Sequence, residues 1–470
     1  MSTEATGFLP SLSDLYADTK RDAQIDTIHR HFVETGVKHI YFQYVTLQGR
    51  VLAKVIPTEF WPKAARLGIS LAYVVPGGFH VTIAGEIAGE GGIATLEGLM
   101  LPDLDTVTVL AWDAEVVSVF CSHYRRLEDT DGRGDPVLTD TRQLLRRELN
   151  RLHHETGLVG KSGCEPEMSW FKGPDAVDAS ASHLPEWVGT PYHVRHLEDV
   201  RPVLKKVTEY ASAMGFSMIQ ADYEDPGQLE CNFAFDGFLA TADRIVIYRQ
   251  ICMQVAEELG IVATFMPKPV PKIMGNGCHH HVSFWEGDRN VMVDEAATGR
   301  DNFTPLGRQA VAGLLTHAPG MMALVASTVN SYKRFAEVIW SPTHANWGYD
   351  NRACAIRAVN GRFEYRLPDA SVNPYLSHLA ILAAVRDGWK RQLDPGPPQV
   401  GLTPAADSEF GTLPMTLGDA VDRLEADQVL VDTLGPELTE LYVLCKRDEW
   451  HRFCGAITDW DLASYLNYVP

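Results

Sequence analysis

Four short stretches of this sequence carry charged or imidazole side chains, mostly at every second position, with apolar residues between them. They are GCEPEMSWF (163–171), ADYEDPGQLECNF (221–233), MGNGCHHHVSFW (274–285) and GRFEYRLPD (361–369). Because alternate residues of a β-strand point to the same side, the pattern predicts strands with one polar and one apolar face. Each could be a solvent-facing strand, but the apolar faces suit a core and the intervening Gly and Pro suit the rim of a site. We therefore expect the polar faces to converge.

The three consecutive histidines of the third stretch cannot all face one site. On a strand, His279 and His281 share one side, while Cys278, His280 and Val282 share the other. A histidine pair on a strand is by itself more often structural than a ligand pair. The alternation therefore leaves His279 and His281 as candidates and turns His280 away.

The same spacing selects acidic candidates that would lie close together. They are Glu165 and Glu167 on one strand, Glu224 and Glu230 around a Pro-Gly turn, and Glu364 between Arg362 and Arg366. Clustered carboxylates repel one another strongly unless cations neutralise them. Ligation rich in oxygen, with little nitrogen and no thiolate, suits Mg²⁺ or Mn²⁺ better than Zn²⁺.

Further arginines occur in NSYKRF, which contains Arg334, and in YDNRACAIR, which contains Arg352 and Arg357. Magnesium held among carboxylates and faced by arginines is a common way of binding a nucleoside triphosphate. The residues alone thus predict phosphoryl transfer from ATP.

The composition of the chain limits which partners and locations are expected. Acidic residues outnumber basic residues by 61 to 41 over 470 residues, so a nucleic-acid partner is not expected. The start, MSTEATGFLP, has neither the basic nor the apolar region of a secretory signal, and no apolar run is long enough to span a membrane. The eight cysteines form no C-x-x-C pair, which is typical of free thiols in a reducing compartment. We expect a cytoplasmic protein.

Local patterns predict a β-rich start followed by a mixed region. The run KHIYFQYVTLQGRVLAKVIP (38–57) indicates a hairpin, and TVTVLAWDAEVVSVF (106–120) indicates further strand. A polar stretch over 127–136 is the best domain boundary. After it, Asp140 can cap a helix that buries Leu145, Leu149 and Leu152 and ends at Gly157. Helical stretches are predicted near 198–215, 240–259, 305–326 and 376–391.

One segment resembles a phosphate-binding loop but does not fit the full pattern. TGLVGKSG (156–163) lacks the first glycine of the Walker pattern, because Glu155 occupies that position. We expect the end of a helix and a turn before a strand.

The site segments, read together, resemble a known family. EPE, PGQLE, TFMPKP, GNGCHHHVSF, NSYKR, NRACAIR, RFEYRLPDASVNPYL and KRDEWHRFCGAITDWDLASYL occur in the order and rough spacing of the glutamine synthetase superfamily. The resemblance covers nearly the whole chain. It implies an α+β fold: an extension over 1–26, a small β-grasp domain over 27–126, and a large catalytic domain over 136–470 with a curved antiparallel sheet and helices. It also implies a homo-oligomer, a dodecamer of two hexameric rings with active sites between subunits.

The resemblance also implies roles for individual residues. Glu167, Glu224 and Glu230 match one metal site, with Asp222 as an alternative to Glu224, and Glu165, His279 and Glu364 match another. His281 and Ser283 match contacts to ATP. Arg334 and Arg366, with Gly275, match groups that bind glutamate, and Arg352, Arg357 and Arg362 match arginines around the transferred phosphate. The cofactors implied are ATP and two or three Mg²⁺ or Mn²⁺ ions per site.

Three positions depart from glutamine synthetases proper. Trp340 stands where the family has a glutamate that helps to deprotonate ammonium, and Glu337 is three residues out of register. The stretch GISLAYVVPGG (68–78), which matches the family's ammonium-binding aspartate region, has no acid. Met274 replaces an asparagine near the glutamate site.

An aromatic and apolar surface suits an amine that bears a hydrocarbon group. The pattern is therefore similar to the γ-glutamyl-amine ligases of the superfamily, with a weak preference for a mono-amine acceptor over a polyamine. Two alternatives remain: a glutamine synthetase with a rearranged ammonium site, and a non-catalytic relative that acts as a scaffold or regulator.

Overall fold

The structure is a computed structural model that describes residues 7–72, 82–84, 97–173, 191–271, 274–294, 296–297, 302–336, 341–359, 361–401 and 411–467. Within these ranges, no helix combines the length and apolar composition needed to cross a membrane.

The first part of the chain folds as a mixed sheet packed against helices. The helices are α1 (Leu12–Ala17), α2 (Thr19–Thr35) and α3 (Trp61–Leu67), and the strands are β1 (His39–Val45), β2 (Val51–Pro57), β3 (Ile69–Ala72), β4 (Glu97–Pro102), β5 (Thr108–Leu110) and β6 (Asp113–Tyr124). The strand order is β2-β1-β6-β4-β3, and β5 also pairs with β6. β1 and β6 are parallel neighbours, and β1 and β2 form the predicted hairpin. This arrangement agrees with the expected β-grasp architecture.

Helix α2 crosses the predicted boundary between the extension and this domain. The helix runs without interruption past residue 26, where the sequence suggested that an extension ends. Its Ile25 and Phe32 are buried in one cluster with Ile40, Phe42 and Trp61, so residues before 27 contribute to the core of the sheet. The division into residues 27–126 and 136–470 otherwise stays a proposal.

The second part contains a larger sheet and most of the helices. The helices are α4 (Thr141–Thr156), α5 (Val194–Asp199), α6 (Arg201–Ala213), α7 (Phe238–Leu259), α8 (Pro305–Val325), α9 (Ser331–Phe335), α10 (Pro374–Arg391), α11 (Leu417–Ala426), α12 (Gln428–Leu434), α13 (Pro436–Gly455) and α14 (Asp459–Tyr465). The strands are β7 (Val159–Phe171), β8 (Met218–Asp225), β9 (Gln228–Phe233), β10 (Asp236–Gly237), β11 (Val262–Thr264), β12 (Cys278–Glu286), β13 (Arg289–Asn290), β14 (Trp347–Tyr349), β15 (Ile356–Val359) and β16 (Arg362–Tyr365).

Strand β7 organises this sheet, whose order is β14-β15-β16-β12-β7-β9-β8. It pairs with β12 from Val159 to Pro166 and with β9 from Glu167 to Ser169, so it changes partner between the two candidate glutamates. All of the pairs along this order are antiparallel except β14 with β15. The apolar faces pack on two large clusters of buried side chains, one around α8 and α10 and one around α6 and α7.

Helix α4 follows its sequence signals. The Asp140 side chain accepts hydrogen bonds from the amides of Arg142 and Gln143, and Gly157 ends the helix with a φ of 74°. Strand β7 begins two residues later. The Walker-like segment is therefore a helix end and a strand, as expected.

Candidate active site

Strand register brings the candidate side chains together. In the antiparallel pairs, Glu165 lies opposite His279, and Glu167 lies opposite Glu230. The next pair places Asp222 opposite Glu230. Directly opposed residues on one face of a sheet have Cβ atoms about 5 Å apart. The β8–β9 hairpin and strands β7 and β12, which are distant from one another in sequence, thus present carboxylates and imidazoles to one region.

One group of possible metal ligands is formed by Glu165, His281 and Glu364, whose donor atoms all lie within 4.8 Å of one another. Nε2 of His281 is 2.7 Å from Oε1 of Glu165. Nδ1 of His279 is 3.2 Å from Oε2 of Glu165 and 3.4 Å from Oε1 of Glu364. Both imidazoles therefore reach the same carboxylates, whereas the sequence assigned only His279 to the metal and His281 to the nucleotide.

His280 faces the other side of β12. Its ring nitrogens lie 2.7 Å from the carbonyl oxygen of Cys278 and 2.8 Å from Oγ of Ser377, and the residue is fully buried. Burial lowers the pKa of His280 well below its ordinary value. The side chain is a neutral, hydrogen-bonded part of the core.

A second group contains Asp222, Glu224 and Glu230, again within 4.8 Å. The sequence offered Asp222 and Glu224 as alternatives, and the structure places both in the group. Glu167 lies beside it, with Oε2 accepting a hydrogen bond of 2.6 Å from the amide of Gly277.

Burial and repulsion among the clustered carboxylates raise the pKa values of Glu224 and Glu230. Burial and the charges of Glu167 and Asp222 raise the pKa of Glu224 to about 7. Burial and the charges of Glu165, Glu167 and Glu224 raise the pKa of Glu230 to about 9. These side chains resist ionisation unless a cation compensates. An oxygen-rich donor set of this kind fits Mg²⁺ or Mn²⁺.

The pKa of Glu165 is instead lowered, because the imidazoles of His279 and His281 face its carboxylate. Burial alone would raise its pKa, but hydrogen bonds and charge from His279 and His281 lower the pKa below the ordinary value. The pKa of Glu165 on β7 is thus shifted in the opposite direction to the pKa values of Glu224 and Glu230 on β8 and β9.

Guanidinium groups flank the group formed by Glu165, His279, His281 and Glu364. Nη2 of Arg334, a residue only 3% exposed, is 3.2 Å from Nε2 of His279. Nη1 of Arg357 donates to Oε2 of Glu364 over 2.9 Å, and Arg366 also donates to Glu364. Nε of Arg362 donates to Nδ1 of His281 over 2.9 Å. Fixed cations beside fixed carboxylates suit an anionic ligand that arrives with metal ions.

A cavity of about 470 Å³ opens at these groups. Its lining includes the following residues named from the sequence: Glu165, Glu167, Asp222, Glu224, Glu230, Met274, Gly275, His279, Arg334, Arg352 and Arg366. His281, Arg357, Arg362 and Glu364 do not line this cavity but are joined to its lining by the contacts above.

One residue proposed from the sequence does not line the cavity, and others lie outside the described residues. Ser283, predicted as a nucleotide contact, does not line the cavity; its Oγ accepts a hydrogen bond from Nε1 of Trp285 over 2.8 Å. Trp340, Glu337 and residues 73–78 of the first-domain stretch lie outside the described residues.

The structure adds cavity residues that the alternation argument did not name. Gln228 is 1% exposed, lines the cavity and hydrogen-bonds Glu167. It precedes Glu230 by two positions on β9, so the same spacing rule could have found it. Tyr192 lines the cavity with a φ of 65°. No sequence signal announces that conformation, because a positive φ is rare for a bulky residue.

Comparisons with known proteins agree with the site. Residues 138–465 match the family model described as the glutamine synthetase catalytic domain. A glutamate–methylamine ligase of Methyloversatilis universalis is 32% identical over 451 residues, covering 93% of this chain and 97% of that protein. A glutamine synthetase of Methanocaldococcus jannaschii is 33% identical over 456 residues, covering 93% and 96%.

A solved structure described as a GmaS–ADP complex superposes with a TM-score of 0.81 at 30% identity, covering 94% of this chain and 99% of that chain. An apo GmaS structure gives 0.79 with the same identity and coverage. The shared fold, the family model and the length of the matches lead to one assignment: the chain belongs to the glutamine synthetase family.

Proposed function

We propose that this protein is an ATP-dependent carbon–nitrogen ligase that joins the γ-carboxylate of glutamate to a substituted amine. The observation that carries the proposal is the single cavity in which carboxylates, His279, Arg334 and Arg366 meet. Similarity to both a glutamate–methylamine ligase and glutamine synthetases supports the reaction class.

The reaction has two steps. An oxygen of the γ-carboxylate attacks the γ-phosphorus of ATP, the bond to the β,γ-bridging oxygen breaks, and ADP leaves. The amine nitrogen then attacks the γ-carbonyl carbon of the acyl phosphate. Phosphate leaves with the bonding electrons, and the nitrogen loses a proton to give the amide.

The residues of this chain would orient and neutralise the reacting groups. Arg334 and Arg366 would hold the carboxylates of glutamate, and Arg352 and the more distant Arg357 and Arg362 would face phosphate oxygens. The two carboxylate groups would hold two or three Mg²⁺ or Mn²⁺ ions. Bound cations of this kind neutralise phosphate oxygens and favour attack by an anionic carboxylate.

The proposed acceptor preference rests on apolar residues that line the cavity and on one position assigned from the sequence. Met274, Pro191 and Tyr192 contribute apolar surface to the described lining, and Trp340, which lies outside the described residues, replaces the family's ammonium-site glutamate in the sequence match. Apolar surface of this kind favours an alkylamine or another substituted amine over ammonium, which has no hydrocarbon group to bury there. Ammonium remains the second candidate, since glutamine synthetases of similar identity are among the relatives.

Assembly and location extend the proposal. We propose a homo-oligomer, built as a dodecamer of two hexameric rings with active sites between subunits. We also propose a cytoplasmic location, in line with the eight free cysteines, seven of them buried.

The direct test is product formation from ATP, glutamate and methylamine, ethylamine or ethanolamine, detected by mass spectrometry together with phosphate release. Wild-type protein should form the γ-glutamylamide only when all three substrates and Mg²⁺ are present. Glu364→Ala should lose this activity, because it removes a buried carboxylate shared by Arg357, Arg366 and His279. A folded wild-type protein that forms no amide with any amine or with ammonium would support the scaffold alternative.

A further inference from the structure

Asn276 is a buried junction between four segments around the site. It is 0% exposed, and its Nδ2 donates to the carbonyl of Met266 over 2.8 Å. Its Oδ1 accepts from Nε2 of Gln228 over 2.8 Å and from Oγ of Ser169 over 3.1 Å. The backbone carbonyl of Asn276 accepts from the amide of Ala370. The residue thus ties β7, β9 and the segments near residues 266 and 370 to the Gly275–Gly277 backbone.

Gln228 connects this junction to the cavity. Its Nε2 lies 2.9 Å from the carbonyl oxygen of Gly275, 2.8 Å from Oδ1 of Asn276 and 3.1 Å from Oε2 of Glu167. An amide nitrogen has two hydrogens, so these three acceptors share them. Removing this one group would take a donor away from three acceptors on two segments, although Oδ1 of Asn276 keeps Ser169 and Oε2 of Glu167 keeps the amide of Gly277.

Glu167 receives both of its described donors on the same oxygen. The amide of Gly277 and Nε2 of Gln228 both reach Oε2. Oε1 lies instead on the side of His279 and Arg334. From the point that a Cβ atom on Gly277 would occupy, Oε1 is 3.2 Å away, and Nε2 of His279 and Nη2 of Arg334 are each 2.9 Å away. The carboxylate is therefore held in one orientation before any ligand arrives.

We propose that Gln228 and Asn276 are positioning residues that present Oε1 of Glu167 to a divalent cation. Gln228 donates to Oε2 of Glu167, and Asn276 anchors both Gln228 and the backbone whose Gly277 amide donates to the same oxygen. They do not touch the reacting atoms; they act through Glu167 and through the Gly275–Gly277 backbone. The inference rests on the proposed function, because it assumes that this cavity binds cations. Groups that orient metal ligands typically change metal affinity 10–100-fold when they are removed.

The test compares Mn²⁺ binding to wild type and to Gln228→Met, measured by the EPR signal of free Mn²⁺ without nucleotide. Methionine keeps the length of the side chain and removes its hydrogen bonds. We expect the dissociation constant of the tightest site to rise at least about tenfold. In turnover assays, high Mn²⁺ should restore much of the lost rate, which it would not do for a general folding defect.

Gln43→Met is the matched control. Gln43 is 3% exposed and donates to Oε1 of Gln250 over 3.0 Å, on strand β1 and away from the cavity lining. This variant loses a buried amide of the same kind and should keep wild-type Mn²⁺ affinity. Equal Mn²⁺ affinity in wild type and Gln228→Met, or an equal loss in both variants, would overturn the proposal.

Ser169→Ala tests the same positioning role if Gln228→Met does not fold. It removes only the hydroxyl that donates to Asn276, and we expect Mn²⁺ binding to weaken about threefold, the effect of roughly 0.7 kcal/mol from one neutral hydrogen bond. Unchanged Mn²⁺ binding in Ser169→Ala would contradict the positioning role of Asn276. Mn²⁺ binding is read without turnover, so a wild-type protein that binds Mn²⁺ but makes no amide would refute the ligase proposal alone.

Discussion

Gly277 shows how closely the side chains of the site approach one another. A Cβ atom at this position would lie 2.9 Å from Nη2 of Arg334, 2.9 Å from Nε2 of His279 and 3.2 Å from Oε1 of Glu167. Contacts below 3.0 Å are not tolerated by real Cβ atoms, so the absent side chain leaves the space in which three functional groups converge.

Gly277→Ala should therefore damage catalysis more than folding. The methyl group displaces Arg334 and His279 from the cavity, and a displacement of about 1 Å can lower the rate about 100-fold. We expect kcat/KM to fall by that order while the circular dichroism spectrum is unchanged. Gly173→Ala is the control, because a Cβ atom there meets nothing within 4 Å. Wild-type kcat/KM in Gly277→Ala would show that the convergence is unimportant.

Trp340→Glu tests the residue chosen from the sequence as the selector of the acceptor. A carboxylate there would bind ammonium and help to remove its proton, so the ratio of kcat/KM for ammonium to that for methylamine should increase. Trp340→Phe keeps an aromatic side chain and should keep the amine preference. If the ratio for Trp340→Glu stays at the wild-type value, this position does not select the acceptor.

At the scale of elements, alternation along strands predicted much of the site, because a strand fixes the face of each residue locally. Alternation does not say how far along the strand the site extends. Ser283 shares the face of His279 but lies four residues away, about 13 Å, where its Oγ contacts Trp285, so its role as a nucleotide contact stays a prediction. The β1–β2 hairpin and α4 were predicted from local turn and cap residues. Strand order depends on contacts between distant segments and was supplied by the structure alone.

A buried histidine joins three of the helical elements outside the site. On α8, His317 has Nδ1 2.7 Å from Oδ2 of Asp427, which caps α12, and Nε2 3.0 Å from Oδ2 of Asp387 on α10. Arg391 contacts the same oxygen of Asp387. Burial alone would lower the pKa of His317, but hydrogen bonds and charge from Asp427 and Asp387 raise it above 6.5. The charged imidazole thus stabilises the packing of these helices.

This shift predicts a pH-dependent stability difference between wild type and His317→Gln. Since the pKa is higher in the folded state, the stabilisation is complete below the unfolded pKa of about 6.5 and is lost as pH rises through the folded value. We expect the variant to melt about 2–4 °C lower at pH 6 and the gap to narrow at alkaline pH. Differential scanning fluorimetry measures the gap; a constant or widening gap would contradict a charged His317.

At the scale of the whole molecule, the end of the chain exposes apolar side chains. In α14 and its flanks, Ile457 is 77% exposed, Trp460 64%, Tyr465 59% and Leu466 70%. Clustered exposure of this kind is uncommon on a monomer and is typical of a surface that another chain covers. The proposed ring assembly would provide such a partner.

Trp460→Asp combined with Leu466→Asp should therefore reduce the particle mass measured by light scattering, because charges at a buried contact disfavour association. Val33→Asp, which changes a residue that is 64% exposed on α2, should leave the mass unchanged. A double variant with the same mass as wild type would remove α14 from the assembly contacts.

The acceptor preference of the intact protein decides between a γ-glutamylamide ligase and a glutamine synthetase. The measurement is kcat/KM for ammonium, methylamine, ethylamine, ethanolamine and putrescine, at saturating ATP, glutamate and Mg²⁺. We expect a substituted mono-amine to give the highest value. If ammonium gives the highest kcat/KM, the protein is a glutamine synthetase and the proposed acceptor site is wrong.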